Sequence, residues 1–423
     1  MALKSIEAHN FKSFRDLQVE LNDLNVLIGA NGAGKSNVLS LLRFIRDAAT
    51  FGLEDAVSLQ GGIGYLTNLS LGDQEPFRLV LTITPETEPR RLLDIQSQYK
   101  ISLIEVKYFL SLSGGGSAGG LVVREAKATL EFSISGHTDV ANSVGVITYD
   151  RSGGQSKLDV LLPAGIKAEE IFGYYDAAML GSYPESSPSS STVSGTLFGR
   201  GWFPLVPSNL AGGQWGNAIS QVGVFDLNIK LLKQAFQLNA KASLEEDGSN
   251  LAIVLRRILV DAAQRRMLTN LLRDVLPFIA DIETEQYADR FLLLKLRESY
   301  NKEALPASLL SDGTVYVVAL IVALYFSRRS LIAIEEPEKH IHPYLLARVA
   351  ELLKDAAQRT PIIVTTQNPE LVRYVDLQSL LLVTRDKEGY STIRRPAESQ
   401  DVQHFLQNEI GIADLFTQNL LGV

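Results

Sequence analysis

Cysteine is absent from all 423 residues. That excludes a disulfide framework and any thiolate-ligated metal, and it fits a reducing cytosol. Long hydrophobic runs are also missing. The longest, Val315 to Phe326, falls well short of the roughly twenty residues needed to span a bilayer, so it is expected as a buried helix. The N-terminus, Met1 to Glu7, lacks the apolar core of a signal peptide. A cytoplasmic protein without membrane contact is the expectation, and a pump would need a separate membrane chain. Positive charge is in deficit as well. The formal charge of −8 excludes a uniformly basic nucleic-acid coat and leaves DNA binding to a local patch.

Hydrophobic residues make up 46% of the chain, enough for a sizeable core, and the length exceeds one average domain. The first third reads as strands around one early helix. Ser5–Phe14 is extended, and Asn25–Ile28 is a short buried strand. Asn37–Arg46 is a helix with Val38, Leu41, Leu42 and Ile45 on one face. Phe77–Thr84 and Lys100–Leu112 read as strands, and the glycines of 114–116 and 119–120 mark a hairpin tip or loop. The stretch Gly181–Gly216, rich in Ser, Gly and Pro, reads as an exposed excursion. Helical spacing follows over 225–280, in Leu231, Leu232, Ala235 and Leu238 and again in Leu251, Val254, Leu255, Ile258 and Leu259. From about residue 305 strands and helices alternate: Leu331–Ile334 and Pro361–Thr365 as strands around a helix over Pro343–Ala357, then Ser379–Thr384 as a strand.

Three local patterns carry chemistry. The segment Gly29-Ala30-Asn31-Gly32-Ala33-Gly34-Lys35-Ser36 fits a phosphate loop between a strand ending at Ile28 and a helix starting near Lys35. Its backbone N–H groups and the helix N-terminus suit phosphate. Lys35 is expected at the β- and γ-phosphates of ATP, and the Ser36 hydroxyl on Mg²⁺. The second pattern is Leu331–Ile334 followed by Glu335-Glu336, an apolar strand ending in two acids, which are costly there without a cation or a reaction to serve. In P-loop proteins the first acid supports Mg²⁺ and the second polarises the attacking water. Two solvated acids at a strand end are the ordinary alternative. Between these patterns lies Leu310-Ser311-Asp312-Gly313-Thr314, opening the apolar helix. Such a turn suits an anion, or serves as an ordinary N-cap.

With these elements in this order, the sequence resembles the ABC ATPase superfamily, with Ser311-Asp312-Gly313 like its signature motif. Asn10-Phe11-Lys12-Ser13-Phe14, Glu336-Pro337-Glu338 with His342-Pro343, and Gly248–Ala252 are similar to the SMC and RecF-like branch, the Glu-Pro-Glu…His-Pro run resembling its D-loop. The resemblance covers both ends of the chain and hardly touches 136–225. It implies an α/β P-loop NTPase of the ABC type: a split nucleotide-binding domain with a β-rich and an α/β lobe and a helical insertion. The chain then divides into an N-terminal ATPase lobe with Walker A (1–135), an insertion (136–305), and a C-terminal lobe with signature, Walker B, D-loop and switch (306–423). The resemblance further implies ATP and Mg²⁺ as cofactors, with Glu335 supporting the metal and Glu336 as catalytic base. Ser311 and Gly313 would contact the γ-phosphate held by another copy, in a head-to-tail homodimer or higher assembly.

Two departures stand out. Glu335 occupies the position usually held by aspartate. Where a switch histidine usually stands, Thr365–Pro369 offers Gln367, which orients water by hydrogen bonds but does not become a cation. Slow hydrolysis is therefore expected. Gln60 and Gln74 both qualify as the Q-loop glutamine. His340 and His342 beside the acids could suggest a metal cluster, but the D-loop resemblance accounts for them.

Arg256-Arg257 and Arg265-Arg266 are read on one helix, largely on opposite sides, so they do not form one stripe; a solvated surface is the ordinary reading and a phosphate-contacting patch the alternative. Three roles remain open: an ATPase acting on duplex DNA in repair or defence, an ATP-gated assembly module for a separate effector protein, and a self-contained nuclease. The residues beyond Thr384 look too few to hold a nuclease domain of the kind some relatives carry. A transporter ATPase fits the motifs less well.

Overall fold

The computed structural model describes residues 2–84, 99–115, 120–136, 143–152, 155–163, 218–238, 241, 243–288 and 290–398. The Ser/Gly/Pro-rich stretch at 181–216 lies outside them. The chain forms two compact units. The first comprises Met1–Leu21, Ser40–Val222 and Arg385–Ile393, and the second Asn22–Leu39, Gly223–Thr384 and Arg394–Val423. This partition differs from contiguous blocks at 1–135, 136–305 and 306–423, because strand pairing groups segments distant in sequence.

The first unit is built on a seven-stranded antiparallel sheet, ordered β2-β1-β4-β5-β6-β7-β8. Its strands are β1 (Ala2–Phe11), β2 (Phe14–Glu20), β4 (Phe77–Thr84), β5 (Tyr99–Gly115), β6 (Gly120–Gly136), β7 (Ser143–Ser152) and β8 (Gln155–Leu161). Ile6 and Ala8 alternate inward along β1, and Leu3 is buried on the far side of a register shift between Leu3 and Ser5, the pattern of a sheet with one packed face. Ser5–Phe14 is not one extended segment. Phe11 pairs with Phe14, and Lys12 takes a φ of 46°, so the chain reverses there in a two-residue hairpin. Gly115 pairs with Gly120, so β5 and β6 form a hairpin; Gly116 and Gly119 of the glycine cluster lie outside the described residues. The rings of Phe11 and Phe44 both pack on Phe77. Two short helices, α2 (Leu53–Leu59) and α3 (Ile63–Leu66), complete the unit.

The second unit holds a parallel sheet in which β3 (Leu24–Ile28) lies between β15 (Ile362–Thr366) and β16 (Leu380–Arg385), with β14 (Leu331–Glu335) next and β9 (Val222–Phe225) beside it. Val26 pairs with Val364 on one side and with Leu380 on the other. An early strand is thereby enclosed by late ones, as a phosphate loop near one end and an acidic strand near the other require. Every residue of β3 and β15 is buried, the near-continuous apolar run expected of a covered parallel sheet.

Helix α7 (Asp312–Tyr325) is buried along almost its whole length, Val315–Ala323 having 0% exposure. Among the described residues no helix is long and apolar enough to cross a membrane. Helix α8 (Leu346–Ala357) follows a 3-10 turn at Pro343–Leu345, and α9 (Pro369–Val372) is short.

Parts of 225–305 depart from the helical expectation. Leu231, Leu232, Ala235 and Leu238 do not share a helix. A four-residue turn, α4 (Ile229–Leu232), gives way to β10 (Phe236–Gln237), which pairs with β12 (Phe291–Glu298). β12 also pairs with β11 (Ile279–Tyr287) and with β13 (Leu305–Pro306). β11 hides as a strand because Glu283 and Glu285 are poor strand formers; both lie within ion-pair distance of Lys295 across the ladder. The arginine pairs sit on separate helices, α5 (Leu251–Val260) and α6 (Ala262–Val275). Asp261 ends the first and caps the second by accepting from the N–H groups of Ala263 and Gln264. The single-helix geometry assumed for them therefore does not apply, and Arg265 pairs with Asp281.

Candidate functional site

The phosphate loop follows β3 directly. Ile28 ends the strand and Lys35 begins α1 (Lys35–Thr50). Ala30, Asn31 and Gly32 are exposed at the tip, while Gly29, Ala33, Gly34 and Lys35 are buried beneath it. Gly34 turns the chain into the helix, its carbonyl accepting from the N–H of Asn37 and Val38. Gly29 is needed for space: a Cβ there would lie 2.2 Å from the Val383 carbonyl oxygen of β16. Lys35 folds back over the loop, donating to the carbonyls of Gly29 at 2.7 Å and Ala30 at 2.9 Å. Burial lowers its pKa, while the carboxylates of Glu336, Glu335 and Glu338 act to keep it charged. A cation held in a buried glycine-rich loop beside a helix N-terminus is an arrangement for polyphosphate.

The acidic strand end lies beside this loop. Ser36 Oγ donates to Glu335 Oε1 at 2.6 Å, bringing together the two groups expected on the metal. They are hard oxygen donors of the kind Mg²⁺ takes, with its remaining positions left to phosphate and water. Among the described residues no group of three or more His, Asp or Glu side chains could hold a metal by itself.

Glu336 leaves β14 in the left-handed region, with a φ of 46°. Its N–H is held by the Thr365 carbonyl at 3.0 Å and by the Thr365 hydroxyl at 3.3 Å. The side chain then turns toward two partners: Gln367 Nε2 donates to Oε1 at 2.6 Å, and Lys339 Nζ lies 3.5 Å from Oε2 and also from Asp226. The expected base and the expected switch residue are thus in contact. Glu338 accepts from the Thr366 hydroxyl at 2.5 Å. Its Oε2 is cut off from solvent without a partner, and burial pushes its carboxyl above the usual range. Thr366 in turn accepts from the Asn368 N–H, and Asn368 caps α9, so Glu338 braces the turn that carries Gln367.

The Ser311 turn is an N-cap: its hydroxyl accepts from the Thr314 N–H at 3.1 Å. It is joined to the D-loop segment as well. Gly313 approaches the His340 carbonyl so closely that a Cβ would lie 2.7 Å from its oxygen. Asp312 pairs with Lys233, which holds its carboxyl below the usual range. Of the Q-loop candidates, Gln60 closes α2 and Gln74 ends a 3-10 turn, both in the first unit. Asn250, within the Gly248–Ala252 motif, is fully buried and ties its loop through the Lys241 and Ser243 carbonyls.

Sequence reasoning passed over Lys339, Thr366 and Tyr316. Only Tyr316 carried a signal: a phenol within an otherwise aliphatic buried run, which calls for a polar partner.

A parallel sheet with a strand–phosphate loop–helix and an acidic neighbouring strand end defines a P-loop NTPase. Comparison with known proteins narrows the class. Residues 1–133 match a family described as "AAA ATPase domain", and residues 230–373 match "AAA domain, putative AbiEii toxin, Type IV TA system". The DNA replication and repair protein RecF of Pediococcus pentosaceus is 46% identical over 46 residues, a match spanning 11% of this chain and 12% of that protein. Among solved structures, an Smc head bound to the C-terminal winged-helix domain of ScpA superposes with a TM-score of 0.51 at 14% identity, covering 93% of this chain and 98% of that one. An Smc head from Pyrococcus furiosus gives 0.48 at 13% identity, covering 96% and 99%. Two ATPase-domain families thus match separate stretches of the chain, and its fold is similar to that of an Smc head.

Proposed function

We propose that this protein binds ATP with Mg²⁺, closes as a head-to-tail dimer around two nucleotides, and hydrolyses them slowly. One observation carries the reading: Ser36 meets Glu335 at 2.6 Å while Glu336 meets Gln367 at 2.6 Å. These two contacts support a metal-holding role for the first pair and a water-handling role for the second. Lys35 and the loop N–H groups hold the phosphates, and Ser36 and Glu335 hold the metal. Bound Mg²⁺ would supply charge neutralisation at the β- and γ-phosphate oxygens. Glu336 takes a proton from a water as that water attacks the γ-phosphorus, and the bond to the bridging oxygen breaks to release ADP. Gln367 orients the water. Ser311 and Gly313 reach the γ-phosphate of the second copy.

Closure of that dimer would act on duplex DNA in repair or anti-phage defence, a role supported by the short similarity to RecF. A second reading is an ATP-gated scaffold for a separate nuclease or toxin. It is favoured by the uncharged Gln367 and by the toxin–antitoxin description attached to residues 230–373. The deciding experiment measures the mass of Glu336→Gln protein with and without ATP and Mg²⁺, then with linear duplex DNA. An ATP-dependent dimer that retains DNA supports the first reading, and an assembly indifferent to DNA supports the second. A monomer under all conditions refutes the dimer.

A further inference from the structure

Glu336 has to hold a backbone conformation that non-glycine residues adopt only when their surroundings impose it. Its N–H is fixed by Thr365 of the neighbouring strand. Its carbonyl is fixed from the other side, accepting a hydrogen bond at 3.2 Å from the Tyr316 hydroxyl. Tyr316 lies on α7, one turn after Gly313, and is fully buried. The two flanking contacts share one residue: the Tyr316 ring packs on the His340 ring, with centroids 5.8 Å apart, and the His340 carbonyl fills the space that a Gly313 side chain would need. His340 is itself in the left-handed region, with a φ of 61°. A phenylalanine would supply the same ring to the core, so the hydroxyl is what requires explanation. Burial keeps the phenol protonated, and its acceptor is the main chain of the expected base.

We infer that Tyr316 is a positioning residue for hydrolysis: its hydroxyl locks the Glu336 backbone and so aims the carboxylate at the attacking water. The link runs within one chain, from the helix headed by the Ser311 turn to the acid at the end of β14. It rests on the reading of Glu336 as base. Removing the hydroxyl frees one side of the Glu336 peptide and leaves the phosphate loop untouched. Turnover therefore suffers while nucleotide binding does not.

The test compares the parent, Tyr316→Phe, Glu336→Gln and Glu336→Asp, and Tyr316→Phe combined with Glu336→Asp, each as the full chain with ATP and Mg²⁺. Steady-state hydrolysis, affinity for a fluorescent ATP analogue and thermal melting are measured on each. Tyr316→Phe is expected to lower kcat about 10- to 100-fold, the range for a misplaced catalytic group. KM and nucleotide affinity should stay within about twofold, with melting near the parent's. In the combined variant the two losses should fall well short of multiplying, because both act through one carboxylate. Parental kcat in Tyr316→Phe beside an inactive Glu336→Gln would overturn the positioning role and leave the ATPase reading intact. Loss of affinity or of folding in step with kcat would overturn it in favour of simple packing. Turnover in Glu336→Gln equal to the parent's would remove the base assignment and the inference with it.

Discussion

Two glycines of the phosphate loop are required for different reasons, and substituting each with alanine separates them. At Gly29 the new Cβ would lie 2.2 Å from the Val383 carbonyl oxygen, so reaching ordinary contact requires about 1 Å of movement. Neither side yields easily. Gly29 continues directly from β3, whose Ile28 is in register with Leu382, next to Val383 on β16. Overpacking of this kind costs about 2–3 kcal/mol. In a unit of this size each kcal/mol lowers Tm by about 2–4 °C, so the expected loss is roughly 4–12 °C. At Gly32, with φ of 75°, a Cβ meets nothing within 4 Å. The cost there is only that of a left-handed alanine, about 1 kcal/mol, or roughly 2–4 °C. Moving Gly29 also displaces the carbonyl that Lys35 grips at 2.7 Å, so ATP affinity should fall with stability. The assay is differential scanning of nucleotide-free Gly29→Ala and Gly32→Ala beside the parent, followed by equilibrium binding of an ATP analogue. Gly29→Ala melting at or above Gly32→Ala, with parental ATP affinity, would refute the account of a loop packed hard against β16.

Three further outcomes are expected. Lys35→Ala should lose most ATP affinity, at least about tenfold for a charge-assisted phosphate contact, measured by equilibrium binding; retained affinity would count against the phosphate-loop reading. Glu336→Gln should accumulate an ATP-bound dimer by light scattering; hydrolysis at the parental rate would instead disprove the base assignment. Glu338 has its carboxyl raised above its ordinary value by burial, so the folded state binds its proton more tightly than the unfolded chain does. Its contribution is therefore most favourable below the ordinary value of 4.5 and declines as pH rises toward the folded pKa. Chemical denaturation of Glu338→Gln at pH 5 and at pH 7.5 should show the variant gaining on the parent with rising pH, and a constant difference would contradict the raised pKa.

Some of this protein is written locally. The phosphate loop is legible because a glycine turn, a lysine and a helix start are contiguous, and eight residues suffice to specify the cradle. The acidic strand is legible because a buried parallel strand must be apolar throughout, which makes a terminal Glu-Glu conspicuous. From those two signals alone the ends of the chain had to share a sheet, and β3 does lie between β15 and β16. Other features needed the tertiary structure. The hairpin at Lys12, the β11–β12 ladder and the break between α5 and α6 turn on strand partners and a cap that outweigh local periodicity. The contacts of Glu336 come from Thr365, Gln367, Lys339 and Tyr316, on a neighbouring strand, a loop and a helix. Sequence periodicity states which face of an element is buried, and it carries no record of what lies opposite. The motifs were thus determined by short-range geometry, while the orientation of the proposed catalytic groups was decided by packing between segments far apart in the chain.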